Sequence, residues 1–420
     1  MGRCFTRMIG VLLLIGLTVA MADAATIPLA VHRQVVAAQQ LMEKKLYDQA
    51  LDVLGADQRD RDHYLIDFTR GNIYLLSERP TEAVPWLQRA VKKQPDYSAA
   101  WSNLAQACYR TDRFDEAAVA FERAYVTMEQ RQPELLYNAA LCYLQLSRWP
   151  QARDLLLQLI SRPENEVATR WRAALVQVYL NLHQPRLAVE QLEVLAVETT
   201  GDVQRRWREV LVQEYLLLEE SAVARQRLNR YCNDDGLYPR WWLLLAHLYL
   251  DQGKYAEGLV ALKVVGYLRP LTDEETRLLG DLHLQLGVPQ QAVDYYRQLL
   301  EQTPPDQHLV TRLAHASLNL HQPEQALSWV EQGAEDDPVL QKLRGQLLFT
   351  LGRYRQAAEV FGRLAAAEVD PGAMWLMQGY AAWNAEQWPL ARRALRHAVS
   401  YPAQQRQAEI LLKQLDERKK

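Results

Sequence analysis

Glycine and proline are scarce in this sequence, with 18 of each among 420 residues. Runs of β-branched residues are few as well, whereas Leu, Ala, Gln, Glu and Arg dominate. Both features favour helices over strands. Because 49% of the residues are hydrophobic and 24% are charged, the composition argues against a disordered or collagen-like chain. The length suffices for two or three ordinary domains.

The sequence also lacks a strong net charge, since 48 basic and 51 acidic residues leave −3. Removal of the first 24 residues would leave 46 basic and 50 acidic residues, about −4. A net charge this close to zero argues against binding of nucleic acid or of an anionic membrane face through overall charge. No second long apolar run follows the first two dozen residues, so we expect no membrane span in the mature chain.

Residues 1–24 have the organisation of a secretory signal peptide. Arg3 and Arg7 precede an apolar stretch, and the sequence ADA at 22–24 provides a cleavage site of small residues. We therefore expect a periplasmic protein, with an uncleaved inner-membrane anchor as the alternative. Cys4 lies before the apolar stretch, so a lipoprotein attachment cysteine is absent.

The rest of the chain repeats itself with a period close to 34 residues. When Ser98 is position 1 of a repeat, positions 4, 7, 8 and 11 share one face of a first helix. Positions 20, 24 and 27 share one face of a second helix. The spacing between repeats varies from 31 to 36 residues. Eleven repeats start near residues 31, 64, 98, 133, 169, 205, 239, 273, 307, 338 and 372.

Small residues recur where the two helices of a repeat would cross. Position 20 holds Ala or Gly in ten repeats, and in the repeat from Pro133 the neighbouring Ala152 indicates a shift of one residue. Position 8 holds Ala or Gly in nine repeats. Gly253, Gly287 and Gly352 occupy position 15, where the first helix must turn into the second and a positive φ is useful.

This pattern resembles the tetratricopeptide repeat (TPR), whose signature is W-x2-L-G-x2-Y followed by A-x3-F and P. The matching residues in the repeat from Ser98 are Trp101, Leu104, Ala105, Ala117, Phe121 and Ala124. The resemblance implies an all-α fold, a right-handed α-solenoid of about eleven tandem helix hairpins over residues 25–401. We expect it to form one continuous domain, which is less rigid near Gly201 and Gly236.

A C-terminal capping helix with a basic tail is expected over residues 402–420. Such a helix would cover the exposed edge of the last repeat. Its apolar residues are Ala408, Ile410, Leu411 and Leu415.

No catalytic or metal-binding constellation stands out. The sequence GK at 253–254 lacks the rest of a phosphate loop, and NDDG at 233–236 lacks the spacing of an EF-hand. No His-x-x-x-His pair occurs, although His247, Asp281 and His315 share position 9 of three successive repeats. A metal or pH-sensing role for these three residues is the minor alternative to polar groove residues. We expect no cofactor and no enzymatic activity.

Three cysteines, Cys108, Cys142 and Cys232, remain after cleavage, an odd number for an oxidising compartment. Cys108 and Cys142 fall on the first helices of adjacent repeats. Neighbouring helix axes lie roughly 8–10 Å apart, whereas a disulfide needs Cα atoms within about 7 Å. We expect buried thiols, with a disulfide between Cys108 and Cys142 as the alternative.

The TPR resemblance implies that first helices line a concave groove, with positions 2, 5, 9, 12 and 13 facing it. Position 9 carries mostly amide side chains here, and an amide can both donate to and accept from a peptide backbone. A merely solvated polar face is the alternative. The residues expected to contact a partner are Asn72, Asn103, Gln106, Tyr109, Arg110, Tyr137, Asn138, Gln177, Asn181, Gln213, His247, Arg277, Asp281, Arg312 and His315.

These features predict an exported scaffold that binds a protein partner or an extended peptide in its groove. Its role would be assembly or support of a cell-envelope complex in a Gram-negative-type cell. One alternative, suggested by family association, is an accessory of a TonB/ExbB-type energy-transducing system. Another is a non-catalytic subunit of an enzyme acting on envelope polysaccharide or peptidoglycan. Self-association through exposed solenoid ends is a further interpretation, and nucleic acid is not an expected partner.

Overall fold

A computed structural model describes residues 27–55, 62–161, 168–300, 307–333 and 337–417. Within these ranges every regular element is an α-helix. None of these helices combines the length and the apolarity that crossing a membrane requires. The expected signal peptide and the end of the basic tail lie outside the described residues.

The helices alternate as first and second members of successive hairpins. The first helices are α1 (Leu29–Glu43), α3 (Tyr64–Leu76), α5 (Ser98–Arg110), α7 (Pro133–Gln145), α9 (Thr169–Asn181), α11 (Gly201–Leu217), α13 (Pro239–Asp251), α15 (Asp273–Gln285), α17 (Gln307–Asn319), α19 (Pro338–Thr350) and α21 (Pro371–Asn384). The second helices are α2 (Tyr47–Gly55), α4 (Pro80–Lys93), α6 (Phe114–Thr127), α8 (Trp149–Ile160), α10 (Pro185–Glu198), α12 (Ser221–Asp234), α14 (Tyr255–Leu268), α16 (Pro289–Leu300), α18 (Pro323–Val330), α20 (Tyr354–Ala366) and α22 (Trp388–Val399). A last helix, α23 (Pro402–Glu417), follows.

Contacts divide the chain into two compact units between Glu220 and Ser221. The first unit contains α1 to α11 and the second contains α12 to α23. Within each unit, a helix packs chiefly on its neighbours in chain order, which is the contact pattern of a solenoid. The expected all-α solenoid fold is therefore confirmed. One continuous domain over 25–401 stays a prediction.

Proline accounts for many of the helix starts. Its fixed φ suits the first turn of a helix, where its missing N–H has no intrahelical partner to lose. The helices that begin with proline are α4, α7, α10, α13, α16, α18, α19, α21 and α23.

The two helices of a hairpin contact each other through small buried residues. Position 20 is fully buried wherever it holds alanine, and Ala152 is buried in the repeat from Pro133, as the one-residue shift predicts. At position 8, a Cβ added to Gly280 would lie 2.4 Å from the ring of Tyr296 at position 24. An added Cβ at Gly345 would lie 2.6 Å from the ring of Phe361, also at position 24. The large position-24 side chains thus fill space that position-8 glycines leave open.

Every turn between a first and a second helix uses the left-handed conformation. Position 15 has φ between 55° and 74° in all eleven repeats. The residues are Lys45, Glu78, Asp112, Ser147, His183, Glu219, Gly253, Gly287, His321, Gly352 and Glu386. In each turn the next N–H donates back to the carbonyl of position 11, as from Arg148 to Tyr143 at 2.8 Å. This is the Schellman geometry that ends a helix.

The last helix, α23, is apolar on one side only. Ala408 and Leu415 are buried, and Leu411 packs against the same core. Ile410 is 50% exposed and lies outside the covered stripe. Residues 408, 411 and 415 follow the i, i+3, i+7 spacing of one helix face, whereas residue 410 lies about 200° around the helix from 408.

The three described cysteines are buried free thiols. Burial raises the pKa of Cys108 to about 11 and the pKa of both Cys142 and Cys232 to about 12. Thiols in this state are poor nucleophiles at neutral pH, because the thiolate is the reactive form.

We expect Ser147→Gly to stabilise the protein by about 1 kcal/mol, since it relieves the left-handed strain of a residue with a Cβ. Ser161→Gly is the matched control, because Ser161 ends α8 at φ −78°. That change should destabilise slightly, since glycine is more flexible in the unfolded chain. Urea unfolding midpoints measure both, and equal shifts for the two variants would contradict the account.

We expect Gly280→Ala to destabilise by about 1–3 kcal/mol, because the added methyl group overlaps the Tyr296 ring. Gly266→Ala on α14 is the control, since its Cβ would meet only Leu271, at 3.3 Å or more. Removal of a helical glycine should there be neutral or stabilising. Thermal unfolding compares the two, and a destabilised G266A beside an unaffected G280A would be evidence against the packing rule.

Candidate partner-binding surface

The first helices of the first unit carry a polar row on their solvent side, which we name the amide row: Asn72, Asn103, Gln106, Asn138, Gln177 and Gln213. Asn72, Asn103, Gln106 and Asn138 are half-buried, while Gln177 and Gln213 are exposed. Within the described ranges, none of these six side-chain amides makes a hydrogen bond to the protein. Their donors and acceptors therefore face outward, available to a ligand or to water.

Helix geometry explains why these amides point away from the core. Positions 4, 7, 8 and 11 are occupied by the packing residues of each first helix, so positions 6 and 9 fall on the opposite side. Asn103 and Gln106 share α5, one turn apart, with buried Leu104 and Ala105 between them. The expected row of polar side chains is thus a consequence of the same pattern that builds the hairpins.

The other residues expected on this surface of the first unit already contact the protein. The Arg110 guanidinium donates to the Leu75 carbonyl at 3.3 Å and pairs with Glu78 of the preceding turn. The Asn181 amide donates to the Gln177 backbone carbonyl at 2.8 Å. The contacts of these two side chains therefore stabilise the repeats.

Two tyrosines beside the amide row are held in place by their neighbours. The Arg170 guanidinium lies 5.3 Å from the centre of the Tyr137 ring. The Tyr109 ring packs edge-on against Phe114, with centroids 5.5 Å apart. Burial raises the pKa of both phenols. Half-buried and fixed rings of this kind can contact a partner with little further loss of conformational freedom.

Sequence reasoning missed two apolar residues on the first unit's last helix. Leu216 and Leu217 of α11 are 37% and 75% exposed. They occupy positions 12 and 13, which the TPR resemblance implies face the groove. The repeat numbering alone could therefore have identified them. They add apolar surface beside Gln213.

The second unit presents a different chemistry at the same positions. Asp281 Oδ1 accepts hydrogen bonds from the Tyr296 hydroxyl and from Arg312 Nε, both at 2.6 Å. Burial and this carboxylate raise the pKa of Tyr296. Asp281 of α15 is thus hydrogen-bonded to Tyr296 of α16 and to Arg312 of α17. Arg277 is half-buried on α15, whereas His247 and His315 are exposed.

The described residues contain no group of three or more His, Cys, Asp or Glu side chains placed to hold a metal ion. Asp281 and His315 share position 9 of adjacent repeats, but the carboxylate of Asp281 is engaged by Arg312 and Tyr296. The geometry provides hydrogen-bonding and apolar contact surface.

Comparisons with known proteins agree with this architecture. Family models described as tetratricopeptide repeat match residues 68–134, 243–307 and 342–408, and further models of the same description match 283–347 and 134–165. Together these matches cover more than half of the chain. The chain belongs to the tetratricopeptide repeat family.

A solved structure with a TM-score above 0.5 shows the same fold at low identity. A chain in the structure of Naa15/Naa10 bound to HypK-THB is similar at 15% identity and a TM-score of 0.51, over 93% of this TPR chain. The match covers 66% of that chain, just under two thirds of its length. A TPR protein from Parabacteroides merdae ATCC 43184 is similar at 17% identity over 60% of this chain and 98% of its own, with a TM-score of 0.32. No curated protein matches the sequence.

One repeat has a buried histidine at a position where two other repeats have a tyrosine that contacts the preceding repeat. In two repeats a tyrosine at position 11 donates to a glutamate at position 25 of the repeat before it. Tyr143 donates to Glu122 at 2.7 Å and Tyr215 to Glu193 at 2.6 Å. His283 and Lys263 hold these two positions in their repeats. His283 is 3% exposed, stacks on Tyr295, and neither of its ring nitrogens has a hydrogen-bond partner in the described residues.

We expect this TPR protein to lose stability on mild acidification through His283. Burial, followed by repulsion from Lys263, lowers the pKa of His283 below its usual value. The unfolded chain then binds a proton more readily than the folded one. The contribution of neutral His283 is therefore fully present above about pH 6.5 and is lost as the pH falls from there toward the folded-state pKa.

Unfolding midpoints of wild type and His283→Tyr across this pH range measure the effect. His283→Tyr restores the residue common at position 11, and it should flatten the pH dependence. His247→Tyr changes an exposed histidine and should leave the dependence intact. An unchanged pH profile in H283Y would contradict the assignment.

Proposed function

We propose that this TPR protein is an exported, non-enzymatic scaffold that holds an extended segment of a protein partner along the amide row of its first unit. The observation that carries this proposal is the set of outward amides without a partner in the described residues on α3, α5, α7, α9 and α11. TPR repeats support a role in protein interaction in general. The amide row specifies where that interaction would take place.

The chemistry of amides suits a polypeptide backbone. Each Asn or Gln side chain offers both a donor and an acceptor, as does each peptide unit of an extended segment. Backbone pairing of this kind tolerates many partner sequences. Four of the six amides are half-buried, so a bound segment would complete their hydrogen bonds while excluding water.

The second unit is less suited to the same task. Its Asp281 and Arg312 are already paired, and a partner would have to break that contact to use them. Breaking a half-buried ion pair costs stability without adding a new hydrogen bond. The contrast favours the first unit as the binding surface.

The sequence of residues 1–24 supports the proposed place of action. A basic start, an apolar stretch and a small-residue cleavage site support export to the periplasm, where the scaffold would assemble or support a cell-envelope complex. In that setting a repeat protein without a catalytic constellation contributes by bringing partners together.

Pull-down from a cross-linked envelope fraction tests the proposal. Changing Gln106, Asn138, Gln177 and Gln213 together to alanine should reduce partner recovery about tenfold or more, since several hydrogen bonds of ~1 kcal/mol each are lost. Circular dichroism should show unchanged helicity, because these side chains make no hydrogen bond to any residue that the structure describes.

The matched control changes four exposed glutamines on second helices, Gln151, Gln158, Gln226 and Gln298, to alanine. This control should recover the partner as the wild type does. Full recovery by the amide-row variant, or equal loss in both variants, would refute the proposal.

A further inference from the structure

Several arginines on the surface of this TPR protein pair with a carboxylate. Arg113 pairs with Glu116 at 2.6 Å, and Arg148 pairs with Asp115 of the preceding repeat, also at 2.6 Å. Arg79, Arg186 and Arg205 have similar partners, at 3.0 to 3.1 Å.

Five other arginines, at the start of α20, within it and on α22, form no such pair in the described ranges. We name them the basic face: Arg353, Arg355, Arg363, Arg393 and Arg396. All five are exposed. No hydrogen bond, ion pair or ring contact joins their guanidinium groups to any residue in the described ranges. The sole acidic residue of the two helices is Glu359.

Helix geometry places most of these side chains on one side. Arg355 holds position 18 of its repeat and Arg363 position 26, while Arg393 and Arg396 hold positions 22 and 25. These positions follow an i, i+4, i+7, i+8 stripe, opposite the buried stripe at 20, 24 and 27. The two helices are equivalent members of consecutive hairpins, so their arginines belong to one stripe, in which Glu359 at position 22 of α20 is the one carboxylate of the two helices. Arg392, at position 21, lies off the stripe and pairs with Asp416 at 2.8 Å.

A surface cavity of about 470 Å³ lies at one end of this stripe. It is lined by residues 352–356 and by Ala385. The helix that starts there, α20, has no acidic residue in its first turn and no side-chain cap. The positive end of the helix dipole therefore adds to the charge of Arg353 and Arg355.

The chemistry of the basic face narrows the class of partner. Guanidinium groups form bidentate hydrogen bonds with carboxylates and phosphates. A membrane-binding helix would also expose large apolar side chains to enter the lipid. No large hydrophobic residue of α20 is exposed, and on α22 only Trp388 is, at 37%. The surface therefore suits a folded or extended polypeptide rich in Asp and Glu better than a lipid surface.

We propose that the basic face is a second docking surface, separate from the amide row, for an acidic segment of a protein. Arg355 and Arg363 stand eight residues apart, about 12 Å along α20. Residues four apart in an extended segment are about 13 Å apart, so two carboxylates at that spacing reach both arginines. The arginines of the basic face then acquire carboxylate partners.

Fluorescence anisotropy with a labelled decaglutamate peptide tests this surface on the full chain. Arg393→Glu with Arg396→Glu should weaken binding about tenfold or more, because attraction becomes repulsion at the centre of the stripe. The matched control is Arg33→Glu with Arg123→Glu, two exposed arginines of the first unit without a partner in the described residues. It should change the affinity by less than about twofold.

Further arms separate the outcomes. Arg393→Lys with Arg396→Lys keeps the charge, and its affinity for decaglutamate should lie between those of the wild type and the Glu variant. This intermediate affinity would show that a loss of binding in the Glu variant is not due to misfolding alone. The amide-row variant should bind decaglutamate like the wild type. Equal loss in the two Glu doubles would overturn the proposal, as would tighter binding to phosphatidylglycerol vesicles or to a single-stranded oligonucleotide with the same sensitivity to R393E/R396E.

Discussion

The close crossing of the two helices of a hairpin, within each unit, is the contact on which the rest of this structure depends. Small residues favour it: position 8 of the first helix is Ala or Gly in nine repeats, position 20 of the second in ten, and the alanines at position 20 are fully buried. Where position 8 is glycine, the freed space is taken by a large side chain at position 24, as with Gly280 and Tyr296. Because interiors are close-packed, one methyl group at such a contact matters.

Stacking follows from this contact. A hairpin cannot bury its remaining apolar stripe alone, so it packs against the next hairpin, and within each unit neighbours in sequence become neighbours in space. Two sets of side chains are then left over. On the first helices they are the outward amides of the first unit, and on α20 and α22 they are the arginines of the basic face. A repeat fold that uses its apolar residues for stacking can thus carry different polar side chains on different faces.

Much of this architecture could be predicted from the sequence, because the packing positions recur at fixed spacing. The left-handed turn was expected at Gly253, Gly287 and Gly352, yet eight other turns adopt the same φ without glycine. Residues such as Lys45 and Ser147 do not indicate a positive φ by themselves, since the surrounding helices impose it.

The binding surface was harder to predict than the fold. The positions of the amides followed from the repeat, but whether a side chain is already engaged depends on residues far along the chain. Arg312 pairs with Asp281, 31 residues away, and Arg110 with Glu78, 32 residues away. The basic face was missed for the same reason, since an unpaired arginine is recognised only when its neighbours in space are known. The net charge of −3 for the whole chain does not indicate this local group of arginines.

Site-specific photo-cross-linking in the envelope tests most directly that the outward amides of the first unit hold the partner. A photoreactive residue at Gln106 on α5 and another at Gln158 on α8 probe opposite sides of the same unit. The account predicts a partner adduct from position 106 and none from position 158. An adduct from position 158 alone would contradict it.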